Sequence, residues 1–426
     1  MPQWISDMTM EMRTVDYDRR RWTVLVASCL INLCIGSIYA WSVFSAPLAA
    51  KLTELAGRAL TAADLAIVFT VANAVGPITM ISGGFINDRL GPKWVILTGG
   101  TMFAAGMILT GLSTSLTGLI VSYGLVLGLG LGMAYGATIS NCVKFFPDRK
   151  GLVGGIATAS YGLSSVLVPP VANALITSVG ITRCLVILGV VFLAVIVLCS
   201  LLVTRCPAGY APVEYVAPVR SDARGARDKD WRGMLADPVF YIMIFMLMCG
   251  AFSGLMITSQ ASPMAQRMVG MSAALAATAV SVLALFNAAG RIVAGTLSDR
   301  FGRVAVLRGA FVLEILGLGL LLLSGPGQTF LFMAAVSVIG ICFGALMGIY
   351  PGFTADRFGL RNNSVNYGIM FIGFAVAGYF GPTVCGRILA RTGAYSSAFR
   401  VAAVLAICGI ILSVVYRLLT RTSKES

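Results

Sequence analysis

Long apolar runs separated by short polar segments dominate the chain, and twelve of them approach or exceed the roughly 20 residues that a helix needs to cross a bilayer. They fall at 23–50, 63–87, 94–113, 116–141, 151–178, 184–204, 238–262, 272–297, 304–324, 328–355, 364–388 and 395–420. Lipid offers the backbone no hydrogen bonds, so a spanning segment is either a helix or a strand of a closed barrel. Barrel strands are short and alternate in polarity, whereas these runs are long and continuous. The pattern predicts an all-α integral membrane protein with twelve transmembrane helices. The longest polar interruption, 205–237, contains Pro207, Pro212 and Pro218 together with Arg205, Arg220, Arg224, Arg227, Lys229 and Arg232. It reads as a linker between two six-helix bundles, 23–204 and 238–420, with a polar segment 1–22 before them and a tail 421–426 after.

Composition agrees with lipid as the main solvent: 58% of residues are hydrophobic and 11% charged, against about 25% charged in an ordinary soluble domain. The net charge of +14 would suggest nucleic acid if the basic residues were clustered on a polar domain. Instead they sit between apolar runs, where Lys and Arg mark the cytoplasmic side. With the N-terminus inside, only Lys51, Arg58, Arg183, Arg267, Arg387, Arg391 and Arg400 fall outside, and Arg291 falls on neither side. Both termini are therefore expected in the cytoplasm. The first 22 residues are polar and mixed in charge, without the apolar core of a signal peptide.

Histidine is absent, which removes the usual general base and the commonest metal ligand. Cys29, Cys34, Cys184, Cys199, Cys249, Cys342, Cys385 and Cys408 lie in or beside apolar runs and read as small packing residues. No metal and no cofactor are expected. In the fourth run, Gly124, Gly128, Gly132 and Gly136 recur every four residues, giving a helix face that a neighbour can approach closely. No βαβ unit surrounds these glycines, so nucleotide binding is set aside.

An internal repeat supports the two halves. GFINDRLGPK starts at Gly84 and GTLSDRFGRV at Gly295, each following the second run of its half, as duplication of a six-helix unit requires. These segments resemble the signature of the major facilitator superfamily, in which a G-x-x-x-D-[RK]-x-G-[RK] loop joins helices 2 and 3. Asp88, Arg89 and Gly91 match it, with Pro92 where a basic residue is usual, and Asp299, Arg300, Gly302 and Arg303 match more fully. The resemblance implies a gate in which Asp88, Arg89, Asp299, Arg300 and Arg303 form ion pairs that break when the cytoplasmic ends separate. A tight turn with topology-setting charges is the simpler reading. FFPDRKGLVGGIATASYGLSS (145–165), GSIYAWSVFSAPL (36–48) and NYGIMF (366–371) further resemble the monocarboxylate transporters and oxalate–formate antiporters of that superfamily, over essentially the whole helical region.

Arg291 is the most informative position. It precedes Asp299 on the eighth run and so lies roughly 12 Å inside the membrane, where an arginine costs about 2.5–3.5 kcal/mol and cannot escape by deprotonation. Asn287 shares its helix face and can orient it without neutralising it. A substrate carboxylate suits the planar guanidinium fork; the rival is a structural ion pair with Glu314, at similar depth on the ninth run. Resembled monocarboxylate transporters carry an acid where Asn287 stands, and a lysine in their first helix that aligns near Val43; dicarboxylate antiporters have a lysine where Phe374 stands. One cation in the site suits one negative charge, so lactate or pyruvate fits better than oxalate. Asp64, with Thr61 before it, has the spacing of a capping box.

Tyr39, Tyr135, Tyr161, Phe371 and Phe374 fall on helices that line the cavity in the resembled fold and are expected to shape the pocket; Tyr350 and Tyr367 carry less weight. The expected function is secondary transport of small monocarboxylates by proton-coupled symport in a bacterial inner membrane, with Glu314 as the proton-coupling candidate. The expected partners are a monocarboxylate anion, a proton and the lipid bilayer, with no nucleic acid and no obligate protein partner. Carboxylate exchange, which needs no protonatable residue, is the alternative. A sensor lacks a signalling domain here, and no arrangement suited to an intramembrane enzyme is present.

Overall fold

The computed structural model describes residues 3–56, 59–61, 64–212 and 228–425. Arg58, Pro218, Arg220, Arg224 and Arg227 lie outside the described residues. Every regular element among those described is a helix, and eleven helices are long and apolar enough to span a membrane. One of them, Lys150–Leu202, breaks at Gly180, where φ 81° and ψ 166° leave helical space. It therefore supplies two spans, which gives twelve. The helices are α1 Tyr17–Leu55, α2 Ala66–Leu90, α3 Pro92–Leu112 and α4 Leu116–Phe145, with α5 (150–179) and α6 (181–202) as the limbs of the broken element. The second six are α7 Pro238–Val269, α8 Leu275–Phe301, α9 Arg303–Leu323, α10 Thr329–Phe358, α11 Asn363–Thr392 and α12 Ser396–Thr420. α7 runs past the expected end at 262 because Met264, Ala265 and Val269 continue its buried face.

Local chemistry sets the helix ends. Thr61 and Asp64 exchange hydrogen bonds ahead of α2, the Thr61 N–H donating to the Asp64 carboxylate at 2.8 Å. α2 ends at Gly91 (φ 96°) and α8 at Gly302 (φ 88°), the equivalent glycines of the repeat. Side chains rarely adopt this backbone region, so the repeat preserves a turn as well as charges. α10 ends the same way at Gly359 (φ 88°), within Asp356-Arg357-Phe358-Gly359, which repeats the residues of Asp299–Gly302.

The glycines of α4 let α2 come close: methyl groups at Gly124, Gly128, Gly132 and Gly136 would meet Val71, Ala72, Gly76 and Met80 in turn. The start of α1 and the end of α12 lie on the face that carries the linker. Tyr17 packs against Tyr210 of the linker at 6.2 Å between rings, and Tyr416 packs against Phe353 near the end of α10 at 5.2 Å. We call this the linker face.

The described parts of the linker are clasped to both halves. Arg205 donates to the last carbonyls of α2, those of Asp88 and Arg89, at 3.0 Å each, and Asn141 of α4 donates to the Thr204 carbonyl at 2.9 Å. At the other end, the Lys229 carbonyl accepts from Asn366 at 2.9 Å and from Asn362 at 3.3 Å, and the Lys229 N–H donates to the Phe358 carbonyl at 2.9 Å. Asp237 caps α7 through the Val239 N–H and pairs with Lys229 and Arg357 at 2.7 and 2.8 Å.

Two outcomes are expected. Gly302→Ala forces a side chain into a glycine-only turn and costs about 1–3 kcal/mol, read as a lower melting temperature in detergent, whereas Gly309→Ala, with open space around it, does not; equal behaviour of the two would contradict the turn's role. Burial raises the Asp237 carboxyl, but hydrogen bonds from Lys229 and the Val239 N–H and the charges of Arg357 and Lys229 outweigh it and hold its pKa below the ordinary value. A lowered folded pKa stabilises above the unfolded value and is lost as pH falls through the folded one. Asp237→Asn should therefore melt lower than wild type at pH 7, with the gap closing on acidification below about pH 4; a gap independent of pH would show that the charge is not involved.

Candidate functional site

α8 is gripped by glycines on two sides. Methyl groups at Gly151 and Gly155 of α5 would strike the carbonyls of Gly295 and Arg291, and ones at Gly340, Gly344 and Gly348 of α10 would strike those of Leu283, Asn287 and Arg291. Close approach of three backbones buries Arg291 to 3% exposure. Its Nε donates to Asn287 Oδ1 at 2.8 Å, and its Nη1 donates across the two halves to the Thr158 carbonyl of α5 at 2.6 Å. Both acceptors are neutral. Gly162, one turn further along α5, leaves the space that the guanidinium fills; a methyl group there would lie 3.3 Å from Cζ.

Aromatic rings continue from this cation as one contiguous chain. Tyr39 meets Tyr161 at 5.3 Å, Tyr161 meets Tyr135 at 4.8 Å, and Tyr135 meets Phe371 at 5.7 Å. Phe371 stacks on Phe374 at 4.6 Å, and Phe374 on Phe343 at 6.2 Å. Tyr367 joins through Phe371 at 5.9 Å, and the Tyr135 hydroxyl faces both Tyr367 and Arg291. The structure thus brings together Arg291, Asn287, Tyr39, Tyr135, Tyr161, Phe371 and Phe374. Tyr350 is elsewhere, buried and donating to the Met243 carbonyl at 2.7 Å.

Glu314 does not pair with Arg291. It is buried in the second half, takes a hydrogen bond from Ser253 of α7, and leaves Oε2 without a partner. Similar depth on two helices does not bring side chains together when they point to different sides of the bundle, and the rival ion pair is corrected on that ground. No ion pair to Arg291 is present among the described residues.

At the linker face the two halves are pinned together. Asp299 of α8 accepts from the Gly151 and Leu152 N–H groups that open α5, each at 2.8 Å. Asp88 of α2 accepts from the Ser364 and Val365 N–H groups that open α11, at 3.4 and 3.2 Å. Each carboxylate thus sits at the positive end of a helix in the opposite half, where exposed N–H groups favour anions. Asp88 and Asp299 also form ion pairs with basic side chains beside them, Asp88–Lys144 (2.6 Å) and Asp299–Arg303 (2.7 Å), each contained within one half. Arg89 and Arg300 make no ion pair among the described residues; Arg300 lies over the Phe301 ring instead. Among the described residues, the ion pair that crosses is Lys150–Asp356 at 2.8 Å, with Arg303 on the other oxygen at 2.9 Å. Asp356 and Lys150 were missed in the sequence, although the second Asp-Arg-Phe-Gly was there to be seen. Ser364 also bonds Asn87 at 2.6 Å and Ser140 at 2.8 Å.

Two six-helix halves around a buried cation, pinned at one face, define a multi-pass membrane transporter. The family model of the Major Facilitator Superfamily matches residues 21–382 and 261–426, and the chain belongs to that superfamily. It is 30% identical to the uncharacterized MFS-type transporter YhjX of Escherichia coli K12, over 86% of this chain and 87% of that one. It is 26% identical to the oxalate:formate antiporter of Oxalobacter formigenes (92% and 90% covered) and 28% identical to monocarboxylate transporter 12-B of Danio rerio (74% and 71%). The E. coli fucose:proton symporter FucP superposes with a TM-score of 0.69 at 15% identity, over 92% of this chain and 98% of that one, a likeness of fold alone.

Removing the charge at Asp299 should loosen the pinned face, since a charge-assisted hydrogen bond to a helix end is about twice as strong as a neutral one. In Asp299→Asn, a cysteine placed at Ser140, which is fully buried here, should label with maleimide at least several-fold faster than in the parent, as read peptide by peptide in a mass spectrometer. Unchanged labelling would show that Asp299 does not hold the closed face.

Proposed function

We propose that this transporter carries small monocarboxylates of the lactate and pyruvate type by alternating access, with Arg291 as the anion anchor. One observation supports this most: a permanent cation is buried with only neutral acceptors, and tyrosine and phenylalanine rings stand beside it. A carboxylate supplies the missing charge through two parallel hydrogen bonds, the Tyr135 hydroxyl donates to it, and the rings accommodate its short apolar part. A dianion would bring a second charge among those rings without a partner. Names of relatives support transport of carboxylates: one is a monocarboxylate transporter, and another is an oxalate:formate antiporter, named for a monocarboxylate and a dicarboxylate together.

In this reading the bundles 23–204 and 238–420 rock about the site, with Asp88, Asp299 and Asp356 releasing their partners when the linker face opens. The basic linker face is assigned to the cytoplasm of a bacterial inner membrane. In symport the carboxylate neutralises Arg291, and the accompanying proton is taken up at Glu314, whose Oε2 has no hydrogen-bond partner and which is set apart from Arg291. Exchange of one carboxylate for another is the second reading, favoured by Asn287 standing where an acid would be.

Proteoliposomes separate the two. Labelled L-lactate should accumulate under an inward proton gradient and Arg291→Ala should abolish this; uptake that needs internal carboxylate and ignores the gradient would establish exchange. Wild-type uptake by Arg291→Ala would overturn the anchor.

A further inference from the structure

A buried hydrogen-bond chain runs from the first half of the molecule to Arg291. Thr138 of α4 donates to Asn32 Oδ1 at 2.9 Å, and Asn32 Nδ2 of α1 donates to the Ala157 carbonyl of α5 at 3.0 Å. The next carbonyl on α5, that of Thr158, takes the Arg291 Nη1 bond at 2.6 Å, and Arg291 Nε reaches Asn287 at 2.8 Å. Asn32 and Thr138 are fully buried, so neither has water as an alternative partner.

Around these two carbonyls α5 carries small residues, Gly154, Gly155, Ala157, Ala159 and Gly162, so neighbouring helices approach closely enough for their side chains to hydrogen-bond its backbone directly. Asn32 holds one side of α5 and Arg291 the other. Acceptance from Thr138 polarises the Asn32 amide and strengthens its donation to Ala157.

We propose that Asn32 is a positioning residue for the anion site: by pinning α5 at Ala157 it presents the adjacent Thr158 carbonyl to Arg291 and so fixes the guanidinium for the incoming carboxylate. The proposal rests on Arg291 being the carboxylate anchor. Asn32 itself touches neither the arginine nor the ligand.

The test is L-lactate transport by the full chain in proteoliposomes, with KM and maximal rate measured separately and the melting temperature recorded. Asn32→Ala should raise KM about five- to tenfold, the worth of one buried hydrogen bond, with the maximal rate within about twofold of wild type. Thr138→Val, which keeps the Asn32 amide but removes its orienting donor, should move KM in the same direction by a smaller factor, and it carries the test if Asn32→Ala does not fold. Unchanged KM, or a fall in maximal rate that tracks a fall in melting temperature, would overturn the proposal. Arg291→Ala distinguishes the two levels: if it loses L-lactate uptake while the Asn32 and Thr138 variants keep the wild-type KM, the relay fails and the anchor stands; if it keeps wild-type uptake, the anchor itself fails.

Discussion

The charge on Arg291 is the constraint on which the rest depends. An arginine cannot shed its proton to escape an apolar setting, so a bundle that buries one must surround it with dipoles or supply an anion. Here the dipoles are an asparagine amide and a helix carbonyl. Neutral acceptors hold a guanidinium in place but leave its charge uncompensated. The glycine face of α5 serves the same need, setting its backbone against α8 so that the Thr158 carbonyl of one half meets the Arg291 side chain of the other, while the glycines of α10 pack against α8 within the second half.

That contact also joins the site to the pinned face. α5 presents Thr158 to Arg291 in its middle and Gly151 and Leu152 to Asp299 at its start. α8 carries both Arg291 and Asp299. A shift of α5 against α8 therefore changes the surroundings of the arginine and the cap at the helix end together, which gives a ligand at one a physical route to the other. The linker clasps sit on the other pinned pair, Arg205 on the end of α2 and Lys229 beside the start of α11.

Much of the fold was legible because lipid makes the apolar run an almost sufficient signal: the spans, the two halves and the turn glycines Gly91 and Gly302 follow from length, spacing and repetition. Arg291 and Asn287 stood out because a charge within an apolar run is conspicuous and four residues return to the same helix face. What was not legible depends on how helices are turned against each other. Depth placed Glu314 level with Arg291, yet azimuth sends it to Ser253. The repeat announced Asp88 and Asp299 but not that backbone N–H groups of the opposite half would be their partners, since any sequence provides those. Asn32 is one polar residue among several in α1, and only the packed structure shows that it meets Ala157. Asp356 was readable from its Asp-Arg-Phe-Gly, but that copy ends the tenth span, away from the loops after the second helix of each half where the internal repeat falls.

The most direct measurement is equilibrium binding to the purified protein of L-lactate and of lactamide, which has nearly the same shape without the charge. Recognition by a buried, uncompensated cation predicts that lactate raises the melting temperature in a saturable way while lactamide at the same concentrations does not. Equal stabilisation by both would mean that shape, not the charge of Arg291, selects the ligand.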